Sequence, residues 1–169
     1  MEVLYLFNIG DKIVYPSQGV GIIDSIEEKE FLGKMKKYCR IHLINNNLKL
    51  MMPLDRLLSS NIRPIASSYI LDDALNHIET FTHDVHNLTT VPCKERIANN
   101  TMKFKSGTLK DFIEVICNLT EIKKEHSLNN SESQMLKNTR KFLSDEISLI
   151  KNISDSEASD LLDDSLSVI

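Results

Sequence analysis

Apolar and polar positions follow one rhythm up to about residue 65 and another beyond it. KIVY (12–15) and GVGIIDSI (19–26) are β-branched runs parted by Pro16-Ser17-Gln18-Gly19, a turn signal. In MKKYCRIHLI (35–44), Tyr38, Arg40 and His42 share one parity and Cys39, Ile41 and Leu43 the other, the period of a half-buried strand. Leu32-Gly33-Lys34 supplies the hairpin before that strand and Asn45-Asn46-Asn47 the turn after it. LKLMMP (48–53) reads as a further strand that Pro53 stops. Short strands, tightly connected, predict a small SH3- or Tudor-like barrel over residues 1–65.

From residue 66 to 169 the spacing becomes helical. YILDDALNHIET (69–80) places Leu71, Ala74, Leu75 and Ile78 on one face, with Asp72 and Asp73 toward its positive N-terminal end. CKERIANNTMKFKS (93–106) forms a basic helix with Ile97, Thr101 and Phe104 inward. Thr108 caps a helix carrying Phe112, Ile113, Ile116 and Leu119. Ser131-x-x-Gln134 and Ser154-x-x-Glu157 read as capping boxes opening the last two helices. The expected fold class is α+β, a β domain at 1–65 followed by an all-α domain of about five helices at 66–169.

Charge changes this picture locally. The chain has 169 residues and a net charge of −4, yet residues 1–65 carry nine basic against seven acidic side chains. Within the acidic remainder, Lys94, Arg96, Lys103, Lys105 and Lys110 stand together with Glu95 alone opposing them, which suggests one local polyanion contact. On a helix, positions 94, 101 and 105 and positions 96, 103 and 110 coincide only in part, so the five cations cannot all meet one DNA backbone. A hydrophobic fraction of 41% allows a core without disulfides or metal. Three cysteines without C-x-x-C spacing read as small hydrophobes in a reducing compartment. With no basic leader or 18-residue apolar run, the expected address is the cytoplasm, away from membrane.

Candidate chemistry is sparse. His83-x-x-His86 has ligand spacing and Cys93 could add a third donor, but structural zinc closes four ligands, so no metal is expected. Asp72-Asp73 and Asp163-Asp164 read as helix-end and surface charge. Gly19-x-Gly21 precedes a strand rather than a helix and cannot cradle phosphate. The residues therefore point to a binding protein without cofactors, not an enzyme. A free barrel edge suits strand addition by a partner, and would also allow weak pairing of an otherwise monomeric chain.

Gly10-Asp11, Val14-Tyr15-Pro16, Gly19, the Gly33 hairpin and Pro53 together resemble the N-terminal domain of the CarD-like (CdnL-type) bacterial transcription regulators. That domain is similar to the RNA-polymerase-interacting domain of the transcription-repair coupling factor. The resemblance continues through SGTL (106–109), SLNNSESQMLKNTRKFL (127–143) and SEASDLLDDSL (156–166). It implies docking of the barrel on the RNA polymerase β subunit, sheet edge to sheet edge. It further implies that the helical domain contacts promoter DNA, without reading sequence, at the upstream edge of the bubble and modulates open-complex stability.

Carried over by position, Lys29 and Phe31 fall at the polymerase interface, and Met51 stands where some members have Arg. The DNA-contacting positions are Cys93, Lys94, Arg96, Lys103 and Lys105. At Cys93 many members carry a Trp that wedges into the minor groove; this chain has no Trp, so wedging is expected to be weakened or replaced. The alternative is a polymerase-bound protein–protein adaptor without a direct DNA role.

Overall fold

The Pro16–Gly19 stretch turns because Ser17 and Gly19 adopt positive φ, 67° and 120°. It joins strands Lys12–Tyr15 (β1) and Gly19–Phe31 (β2), followed by Lys34–Leu43 (β3), Lys49–Pro53 (β4) and Arg63–Pro64 (β5). The computed structural model describes residues 7–169; residues 1–6, counted above with the β domain, lie outside the described residues. The chain divides into two compact units, Met1–Ile65 and Ala66–Ile169, each with its own apolar core.

All pairings are antiparallel, in the order β4-β3-β2-β1-β5. Among the described residues no ladder joins β5 to β4, so the barrel-like unit keeps two sheet edges. The strand predicted to end at Ile26 runs on to Phe31, and the β2–β3 hairpin closes through Leu32 and Gly33 at φ 52° and 73°. Two central residues at positive φ make the turn whose twist matches the flanking strands.

One residue departs from strict alternation. Ile23 pairs with Ile41 and Ser25 with Arg40, so Asp24 is extra and forms a bulge. The bulge reverses the parity of β2: Gly21 and Ile23 face the core before it, and Ile26 faces the core after it. At Gly21 a Cβ would stand 2.9 Å from the His42 carbonyl oxygen, so only glycine fits.

Pro53 does stop β4, but the chain continues directly into a short helix, Leu54–Ser59 (α1), which buries Leu54 and Leu57 beneath the sheet. Six residues hold too few turns for a periodic signal to be visible in the sequence.

The second unit contains Ser68–Asn76 (α2), a 3-10 turn at Ile78–Phe81, Val85–Thr90 (α3), Cys93–Ser106 (α4), Leu109–Glu125 (α5), Asn130–Lys151 (α6) and Asp155–Leu166 (α7). These are six α-helices rather than about five. The additional one, α3, buries no residue and is started by Asp84, whose side chain accepts from Asn87 N at 3.2 Å. Its sequence therefore lacks an apolar stripe. Asp72 and Asp73 fall beyond the first turn of α2.

The apolar stripe of α5 fills the centre of this unit. Ile113, Ile116 and Leu119 are completely buried in one cluster with Leu143 and Ile147 of α6 and Leu162 of α7. Phe112, also completely buried, lies against the rings of Phe104 and Phe142. Thr108 caps α5 and Ser154 forms a capping box with Glu157, both as the spacing predicts. The box opening α6 is Asn129 with Glu132, not Ser131 with Gln134. Asn129 is an equally good cap, and starting two residues earlier puts Glu132 at the third helical position, where its carboxylate reaches back. Gln134 instead donates to Asn138 at 2.7 Å.

Candidate interaction surfaces

The bulge decides which side chains of the β unit are available. Beyond it, Ile26, Cys39, Ile41, Leu50 and Met52 share the inner face with the core. Glu27, Lys29, Phe31, Lys34, Lys36, Tyr38, Arg40, Lys49 and Met51 share the outer one. Five of those nine are cationic and one is anionic. Phe31 is 55% exposed and Met51 43%.

Lys29 and Met51, twenty-two residues apart, meet on that face, the ammonium 3.4 Å from the Met51 sulfur. Glu27 lies between cations, 3.0 Å from Arg40 and 3.6 Å from Lys29. The Ser25 hydroxyl, 3.0 Å away, is the first cause of a carboxyl held below its ordinary value, and Arg40 and Lys29 add to it.

β4 is the sheet edge beside this face. Leu43 N donates to Leu48 O at 2.8 Å, which sets the phase of the β3–β4 ladder. By antiparallel alternation, Leu50 and Met52 bond inward to β3, while the amides of Lys49 and Met51 point away from the sheet. Pro53, which has no amide hydrogen, falls in the outward set and costs the ladder nothing.

α4 presents a different division. Lys94 and Lys105 are eleven residues apart, three turns, so they lie on one face, and both are exposed. Arg96 and Lys103, seven residues apart, share the other face and are only partly exposed. Arg96 Nε lies 2.6 Å from Glu132 Oε1, and Nη1 donates to the carbonyls of Leu88 and Val91 at 3.3 Å each. Lys103 is bonded to Glu114 on α5. The cation cluster visible in the sequence is thus sorted: Lys94 and Lys105 face solvent about 16 Å apart along the helix, and Arg96 and Lys103 are committed to carboxylates. Glu132 and Asn129, which sequence reasoning passed over, tie α6 to this corner. The signal for them was an N-x-x-E spacing.

Cys93 is the first residue of α4 and is exposed, with Asn129 Nδ2 donating to its sulfur. Cys39 and Cys117 are buried; burial, reinforced by Glu121 and Glu114, pushes the Cys117 thiol up to about 12. A thiol reagent at neutral pH is therefore expected to label one cysteine in the folded chain and three after unfolding, with peptide mapping placing the first at Cys93.

His83 turns to Asn118 Oδ1 at 3.1 Å and lies 3.8 Å from Glu114, whereas Cys93 sits against Asn129. Among the described residues no three His, Cys, Asp or Glu side chains are grouped to hold a metal ion. No helix among them is long and apolar enough to cross a membrane.

Comparison with known proteins matches both units. Residues 7–66 fit the CarD-like/TRCF RID domain and residues 78–163 the CarD C-terminal domain. The chain belongs to the CarD family. This CarD-like chain is 42% identical over 152 residues to the candidate transcription factor YdeB of Bacillus subtilis (strain 168), a match covering 90% of the chain and 97% of that relative. Among solved structures it is similar to CdnLNt from Myxococcus xanthus, at 35% identity over 30% of this chain and 72% of that one, with a TM-score of 0.28. It is also similar to the 72-residue N-terminal domain of Myxococcus xanthus CarD, determined by solution NMR, at 28% identity over 34% and 77%, with a TM-score of 0.30. The CarD-like family is one of transcription regulators.

Proposed function

We propose that this CarD-like protein docks on the RNA polymerase β subunit through the β4 edge and the outer face beside it, and contacts promoter DNA without sequence choice through α4. The observation that carries the reading is the placement of Lys29, Phe31 and Met51 on one cationic face next to outward-pointing amides of Lys49 and Met51. An edge with free donors recruits a strand, and a face with Lys29, Lys34, Lys36, Arg40 and Lys49 against Glu27 favours an acidic partner surface. Lys94 and Lys105 are the phosphate contacts this reading prefers, because they already face solvent. Cys93 occupies the exposed corner where many members carry a wedge, but its side chain is too small to unstack a base step.

The test is binding of the full chain to its cognate polymerase, and then to polymerase on promoter DNA across a salt titration. Lys29→Glu weakens the first step, since it places a second carboxylate beside Glu27. Lys94→Ala leaves that step alone and lowers the salt slope of the second by about 0.9, the value of one phosphate contact. The adaptor reading draws support from the internal pairing of Arg96 and Lys103, and a slope that Lys94→Ala and Lys105→Ala do not move would favour it.

A further inference from the structure

We infer that Arg96 is a positioning residue that holds the corner between α3 and α4 against the start of α6, and so presents Cys93 and Lys94. The inference rests on the DNA-contacting reading for what the corner is for, and on its own geometry for how the corner is held.

The geometry is a closed ring of side chains. Arg96 is 15% exposed and its partner Glu132 is 2% exposed, so the pair is shielded from water. Its Nη1 takes the carbonyls of Leu88 and Val91, at the end of α3 and just past it, where backbone acceptors lack helical partners. Glu132 Oε2 accepts from Asn129 N at 3.3 Å, and Asn129 Oδ1 accepts from Glu132 N at 2.9 Å. Asn129 Nδ2 then donates to Cys93, three residues before Arg96, which completes the ring. One carboxylate thereby caps α6 and fixes α3 and α4 to it.

Three bonds in two directions need the planar fork of arginine; a lysine ammonium would keep the charge and lose the geometry. Drawing Arg96 onto a DNA phosphate would strand Glu132 as a buried, uncompensated charge. The two roles therefore exclude each other, and they predict opposite signs for one substitution. If Arg96 bound phosphate, Glu132→Gln would release it and remove a nearby negative charge, and DNA binding would strengthen. As a clamp, Glu132→Gln loosens the corner, and binding weakens.

The experiment uses the full chain with Glu132→Gln, Arg96→Lys and Lys94→Ala, each first shown to be folded by circular dichroism at the assay temperature. Two quantities are read: the salt dependence of binding to polymerase-held promoter DNA, and the rate at which Cys93 reacts with a thiol reagent in the absence of DNA. Glu132→Gln and Arg96→Lys are expected to lower DNA affinity with the salt slope unchanged, while Lys94→Ala lowers the slope by about 0.9. Both clamp variants are expected to label Cys93 several-fold faster, because Asn129, no longer held in place through Glu132, releases the Cys93 sulfur to which it donates.

Tighter DNA binding by Glu132→Gln would overturn the inference, as would Cys93 labelling at the wild-type rate in both clamp variants. Faster labelling together with a DNA interaction that no variant alters supports the clamp and overturns the DNA-contacting reading instead.

Discussion

A chain carrying Met51→Pro is expected to fold and to lose its hold on RNA polymerase. The ladder phase set by Leu43 and Leu48 turns the Met51 amide away from β3, so proline removes no bond from the sheet itself. What it removes is a donor that an added strand would use, and its ring stands where that strand would lie. Loss of about one to two main-chain bonds, together with the clash, raises the dissociation constant by tenfold or more. Leu50→Pro is the informative contrast, because the Leu50 amide belongs to the β3–β4 ladder and its loss unfolds the edge. Melting curves and polymerase binding measured side by side separate the two. Wild-type binding by a folded Met51→Pro chain would mean that β4 is not the docking edge.

Glu132→Ala is expected to be the most damaging single change in the helical unit. Glu132 and Arg96 are nearly buried together, and removing the carboxylate leaves the guanidinium without a counter-charge and α6 without half of its capping box. Breaking a buried pair in this way costs about 3–5 kcal/mol. For a unit of this size that lowers the melting temperature on the order of 15 °C. Glu157→Ala provides the comparison: Glu157 also completes a capping box, with Ser154, but it is exposed, and a clearly smaller melting shift is expected from its loss. The double variant Arg96→Met with Glu132→Leu should recover part of the loss, since no buried charge is left unpaired. The Leu88 and Val91 carbonyls and the Asn129 amide still lack the partners that Arg96 and Glu132 gave them. Equal melting shifts for Glu132→Ala and Glu157→Ala would show that burial adds nothing to the pair.

What the sequence made legible follows from how regular each element is. Period two along Tyr38–Leu43 and the apolar stripe of α5 are long enough to sort inward from outward side chains, and the structure follows both. α1 and α3 were invisible because six residues make fewer than two turns, and α3 has no buried side chain to reveal a face. The site was legible in part for a different reason. Helical spacing separates positions 94 and 105 from 96 and 103, but only the carboxylates of Glu132 and Glu114, thirty-six and eleven residues away, decide which pair faces inward. Charge in a one-dimensional string does not say which cations are drawn into the fold. The meeting of Lys29 with Met51 across three strands was hidden likewise, since it depends on a register that Asp24 shifts.

Asp24 itself is exposed and stands opposite no residue of β3. Without it, Ser25 would follow Ile23 directly and the two halves of β2 would fall into a single frame. The pairs of Ile23 with Ile41, Ser25 with Arg40 and Ile26 with Cys39 would all be kept. Ile26 would stay inward, and Glu27, Lys29 and Phe31 outward. Evolution can therefore drop the letter at residue 24 without turning either half of β2 over, just as a length change in the Asn45–Asn47 turn leaves the face of β2 as it is. In aligned relatives the position would be seen as a column that tolerates a gap.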